Sequence, residues 1–145
     1  MGYLKGLKLN KIIKKALEQT IAEFKEASPT IYLHFFYGAV DLAPQNLVVW
    51  YLFATDKELQ AANENGLCNK LTETTIRNLI AAGYPAEAFS ETYYPLNGKI
   101  TFQGGTKEKL NDVIYSLTHR KAKVAFTTQE DINRKAHGDY HLYFQ

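Results

Sequence analysis

Leu47-Val48-Val49-Trp50-Tyr51-Leu52-Phe53-Ala54 is the most apolar run in the chain, and it leads directly into Thr55-Asp56-Lys57-Glu58. Its length and its β-branched and aromatic content are those of a strand. Both faces are apolar: Leu47, Val49, Tyr51 and Phe53 on one side, Val48, Trp50 and Leu52 on the other. A strand of this kind belongs in the middle of a sheet with cover on both sides. The Thr-x-x-Glu that follows is a capping box, in which hydroxyl and carboxylate satisfy helix amides that have no partner within the helix. It predicts a short helix that Asn65-Gly66 stops.

Working outward, residues 31–39 are dense in β-branched and aromatic side chains and are joined to the central run through the turn-forming stretch 41–46. So short a connection predicts two antiparallel neighbours. Over residues 8–27, Leu9, Ile12, Ile13, Ala16, Leu17, Ile21 and Phe24 recur at steps of three and four. That spacing predicts an amphipathic helix, ended by Ser28-Pro29. A further helix is expected over 68–82, carrying Leu71, Ile76, Leu79 and Ile80 and closed at Gly83-Tyr84-Pro85.

Further along, Asn97-Gly98 joins 91–96 to 99–103 as a tight hairpin, and Pro95 makes the first of these an edge strand. Leu110, Val113, Ile114 and Leu117 give 106–118 helical spacing, although 113–117 also fits half of a hairpin with a strand at 123–127. Thr128-Gln129-Glu130-Asp131 repeats the capping pattern and opens a short helix closed by Gly138, and 140–144 alternates as a last strand. Together the elements predict a single α+β domain over residues 1–145, its mostly antiparallel sheet packed against helices.

The chain has 145 residues, of which 46% are hydrophobic and 13% aromatic, a composition that folds rather than staying disordered. No stretch of about 20 apolar residues is present to cross a bilayer, so no membrane partner is expected. Cys68 is the single cysteine, which excludes an intrachain disulfide and suits a reducing compartment. The amino end alternates lysine with apolar residues instead of forming a signal sequence, and Gly6 stands where a myristoylation signal needs Ser or Thr. A cytoplasmic location is expected.

Net charge is +2, from 17 basic and 15 acidic residues, and neither requires nor excludes a polyanion. Lysines 5, 8, 11, 14 and 15 crowd the amino end, and His119, Arg120, Lys121 and Lys123 form a second cluster. A nucleic-acid binder using both is one alternative reading, and solvated helix faces are the plainer one. Reactive motifs are sparse. His137 and His141 share the four-residue spacing of zinc helices, but on the expected strand they stand about 13 Å apart, too far for one ion. His34, on a strand between Leu33 and Phe35, is the best candidate for a general acid or base, in a small enzyme assisted by the loop around Asp41. Gly104-Gly105-Thr106-Lys107 lacks the Gly-Lys-Ser/Thr of a phosphate loop, and neither Cys68 nor Ser90 sits in a nucleophile motif. No cofactor and no metal are expected.

Ten tyrosines and eight phenylalanines are the unusual feature, since tyrosine combines contact area with a hydrogen bond at low rotamer cost. Tyr93, Tyr94, Tyr140 and Tyr143 fall on expected edge or terminal strands, whereas Tyr32, Tyr37 and Tyr51 are expected to pack inside the sheet. With the acids beside them, the candidate partner-binding residues are Glu87, Glu91, Tyr93, Tyr94, Glu130, Asp131, Tyr140 and Tyr143.

The segments Val48-Val49-Trp50-Tyr51-Leu52-Phe53-Ala54-Thr55-Asp56-Lys57-Glu58-Leu59 and Val124-Ala125-Phe126-Thr127-Thr128-Gln129-Glu130-Asp131-Ile132, with Gly138-Asp139-Tyr140 after them, resemble small bacterial proteins that include immunity partners of toxins delivered between bacteria. The resemblance spans about a third of the chain. It implies a compact cytoplasmic α+β protein that blocks a cognate toxin by binding rather than by catalysis. Its slight positive charge departs from the acidic character common among inhibitors of cationic nucleases. The expected function is therefore a non-catalytic protein-binding module whose partner is a protein, such as a toxin domain.

Overall fold

The computed structural model describes residues 2–89 and 124–144. In chain order these form α1 (Gly2–Glu23), β1 (Leu33–Tyr37), β2 (Val48–Phe53), α2 (Asp56–Glu64), α3 (Leu67–Ala81), β3 (Val124–Thr128), α4 (Gln129–Ala136) and α5 (Tyr140–Tyr143). Single 3-10 turns occur at Pro44–Asn46 and Ala86–Phe89. The expected hairpin at 91–103 and helix or hairpin at 106–118 lie outside the described residues.

The α+β class holds, with β2 in the centre of a three-stranded sheet of order β1-β2-β3. β1 runs antiparallel to β2, pairing Phe35 with Trp50 and His34 with Tyr51. β3 runs parallel to β2, pairing Trp50 with Ala125 and Phe53 with Thr128, so the sheet is mixed among the described residues. A parallel pair needs a long crossover, and the chain between β2 and β3 is long enough to include α2 and α3.

Side chains alternate across β2 and divide the core in two. Val49, Tyr51 and Phe53 join Leu9, Ile13, Leu17, Leu71 and Leu79 beneath α1 and α3. Trp50 and Leu52 join Ala125 and Ile132 on the other face, with Phe35, Tyr143 and Phe144 against them. Both faces are thus covered, as the doubly apolar sequence requires.

Between α1 and α3 a few polar groups are buried, and each is satisfied. The Tyr51 hydroxyl is 2.7 Å from Thr75 Oγ1. Asn78 Nδ2 donates to Thr20 Oγ1 at 2.9 Å and to Glu23 Oε2 at 2.8 Å, and Thr20 donates to the Ala16 carbonyl. Paired this way, buried polar atoms avoid a penalty of about 1–3 kcal/mol each and fix how the helices meet.

Two expectations are corrected. Residues 140–144 are not a strand: Tyr140–Tyr143 is a helical turn. His137 and Gly138 both take left-handed conformations (φ 52° and 84°), and the Asp139 carboxylate then caps the turn by accepting from Leu142 N at 3.1 Å. The alternation of Tyr140, Leu142 and Phe144 looks like a strand, yet Tyr140, Tyr143 and Phe144 also stand at i, i+3 and i+4. The second correction concerns Tyr32 and Tyr37, which are 56% and 41% exposed rather than packed inside. β1 has a neighbour on one side only among the described residues, so its ends face solvent. Tyr51, on the central strand, is fully buried as expected.

Candidate functional site

Two places in the fold concentrate chemistry. The first is where β3 ends in Thr128 and its parallel neighbour β2 is followed two residues on by Thr55, each threonine opening a helix. Thr55 Oγ1 accepts from Glu58 N at 3.1 Å, and Thr128 Oγ1 accepts from Asp131 N at 2.9 Å. The carboxyl ends of parallel strands beside helix amino termini are where open α/β sheets take anionic ligands. Here the chain supplies the anions itself. Glu58 accepts from Ala54 N, Glu130 Oε1 accepts from Asp56 N at 2.9 Å, and Thr128 donates to Asp56. Arg134 bridges Asp56 and Asp131. The helix dipoles are already answered, so this is a joint between α2 and α4.

Asp131 completes that joint. Its side chain is 12% exposed and meets Arg134, Lys135 at 3.3 Å and the hydroxyl of Tyr143. Because that hydroxyl donates to Asp131, Thr127 Oγ1, 2.6 Å away, donates to it in turn. Burial pushes the Asp131 carboxyl up, but the Tyr143, Arg134 and Lys135 contacts outweigh it and hold the group below its ordinary value. A carboxyl depressed on folding stabilises the fold above its unfolded pKa and loses that contribution as pH falls through the folded one. We therefore expect Asp131→Asn to cost about 2 kcal/mol at neutral pH. Urea midpoints of wild type and variant should then converge as pH drops below the ordinary carboxylate range.

The second place is a shallow apolar groove of about 380 Å³ lined by Leu33, Phe35, Tyr140, His141 and Phe144. β1 supplies one wall and the α5 turn the other. Phe144 forms the floor, with ring centroids 4.8 Å from Trp50, 5.0 Å from Phe35 and 4.8 Å from Tyr143, all edge-on. Leu33 and Tyr140 at the rim are each more than a third exposed, as is Tyr37, whose ring lies 6.5 Å from that of Phe144. Tyr140 donates to Gln129 Oε1, which anchors the turn to α4. Burial, then the neighbouring Tyr32, hold its phenol above the ordinary value.

The expected contact residues are divided by this geometry. Tyr140 lies on the groove, whereas Tyr143 and Asp131 point inward and hold α5 and α4 together. Glu130 is exposed but accepts from Asp56 N. Glu87 is exposed on the 3-10 turn Ala86–Phe89, whose Ala88 and Phe89 pack into the core on the opposite sheet face. Glu91, Tyr93 and Tyr94 lie outside the described residues. The lining residues Leu33, Phe35 and Phe144 were missed, because strand alternation at 140–144 hid the turn that brings Phe144 against β1.

Neither Cys68 nor the candidate base His34 gains a catalytic setting among the described residues. Cys68 is fully buried and burial pushes its thiol up. His34 is half-buried on the α1/α3 side of β1, where burial lowers its pKa. The ring nearest it is Tyr51, whose hydroxyl is already taken by Thr75. Among the described residues no group of His, Cys, Asp and Glu could hold a metal, and no helix is long and apolar enough to cross a membrane. No protein-family model, curated protein or solved structure matches the chain.

Proposed function

We propose that the chain is a non-catalytic protein-binding module that acts in the cytoplasm, and that its partner is a toxin domain which it neutralises by occlusion. The observation that carries this reading is the groove between β1 and α5: apolar in lining, aromatic in floor and rim, and backed behind Phe144 by the buried Trp50 of β2. Exposed aromatic and leucine side chains around a preformed depression are the usual anchors of an interface, because little side-chain freedom is lost when they are covered. The resemblance to immunity proteins supplies the kind of partner.

The test is affinity, measured by calorimetry, for the polypeptide encoded by the adjacent reading frame. Leu33→Asp and Tyr140→Ala should each weaken the complex by about 30-fold or more while leaving the circular dichroism unchanged. Glu87→Ala, on the other sheet face, should leave affinity within about threefold. A complex insensitive to both groove variants would remove the groove from the interface, and absence of a complex would remove the toxin reading.

A further inference from the structure

We infer that the outer face of α1 is a contact surface for an anionic lipid bilayer, on which the protein lies without crossing it. The helix buries Gly6, Leu9, Ile13, Ala16, Leu17 and Thr20. At 100° per residue, Leu4, Leu7, Lys8, Lys11, Lys14 and Lys15 fall together in an arc of about 120° on the opposite side. All six are exposed, Leu4 at 64% and Leu7 at 46%. No acidic residue occurs in α1 before Glu18, and among the described residues none of these lysines makes an ion pair. Asp41, close to Gly6, sits on the buried side of the helix.

Four lysines with no ion pair among the described residues make a positive field over about 10 Å of helix, with Glu18 the one acid of α1 on the same arc, at its carboxyl end. Its complement is a surface of spread negative charge. The two leucines at the amino-terminal end decide which surface. Exposed apolar side chains beside lysines add affinity at a headgroup boundary, where the stems and leucines enter the apolar layer and the ammonium groups remain with the phosphates. A duplex gives leucine nothing to bury in, and the described side chains of this face include no arginine or aromatic ring to read or stack on bases. The expectation of no membrane partner rested on the missing spanning stretch, which does not bear on a helix lying flat. The surface is on the α1 side of the sheet, away from the groove, and stands or falls independently of it.

The test is flotation of the purified full chain with vesicles of phosphatidylcholine alone and vesicles containing about one-third phosphatidylglycerol. Binding is expected to the anionic vesicles and not to the neutral ones, and to be lost at high salt. The triple variant Lys8→Gln, Lys11→Gln, Lys15→Gln should bind about 100-fold more weakly, at about fivefold per lysine. Leu4→Ser with Leu7→Ser should weaken binding with all lysines intact. These positions are exposed, and an unchanged urea midpoint will show that each variant folds. No binding of wild type to anionic vesicles, or equal binding by the lysine variant, would overturn the proposal. A short DNA duplex bound more tightly than the vesicles, with the same lysine dependence and no leucine dependence, would replace it with a nucleic-acid surface.

Discussion

Trp50→Ala should destabilise the protein by about 4 kcal/mol, seen as a lower urea midpoint and a melting temperature depressed by about 10 °C or more. Trp50 is fully buried at the centre of β2, and its ring meets Phe144 at 4.8 Å. Truncation empties the position that holds β1, β2 and the α5 turn against one another. The surrounding backbone cannot collapse into the space, because Ala125 and Phe35 flank Trp50 in register on either side. Part of the cost falls on the groove. Phe144 loses its deepest neighbour, so affinity for a groove ligand should fall even at temperatures where the variant remains folded. Leu42→Ala, by contrast, removes a large apolar side chain that is 80% exposed and should change stability by less than about 0.5 kcal/mol. Similar losses in the two variants would mean that the α5 side of the sheet is not a packed core.

What made Trp50 readable in the sequence is that it lies in an apolar run with no polar position on either face. Such a run has few solutions, and burial on both sides of a central strand is the one observed. The capping threonines were equally legible, since Thr55 and Thr128 each have a hydroxyl placed to meet an amide three residues on, a constraint local to four residues. The parallel pairing of β2 with β3 was not legible, because it joins residues more than 70 apart in a register that no local pattern encodes. The groove was half legible. Tyr140 stood out as an aromatic near the end of the chain, but its partners Leu33 and Phe35 belong to a strand about 100 residues earlier. The left-handed backbone at His137, a residue less given to it than glycine, also hid the turn that sends Phe144 back onto that strand.

The end of β1 shows the same contrast and yields the second large effect. Residues 31–39 look like one continuous strand, yet β1 stops at Tyr37, and the reason is Gly38. Its φ is +124°, and a Cβ placed there would stand 2.0 Å from the Asn46 carbonyl oxygen and 2.8 Å from its carbon. Both are backbone atoms of the turn that delivers the chain to β2, and Asn46 is tied on the other side by its own side chain donating to the Ala39 carbonyl at 3.0 Å. Gly38→Ala therefore combines a disfavoured dihedral with a clash that no rotamer change relieves, and it should cost about 3–5 kcal/mol. Gly66→Ala separates the two effects. Its φ is +84° with nothing within 4 Å of the added carbon, so that variant should lose about 1–2 kcal/mol, from the dihedral alone. Equal losses in urea titrations would show that the turn at Asn46 yields. In that event Tyr37, next to Gly38 and 6.5 Å from the Phe144 ring, would shift with it and the groove would lose shape along with stability.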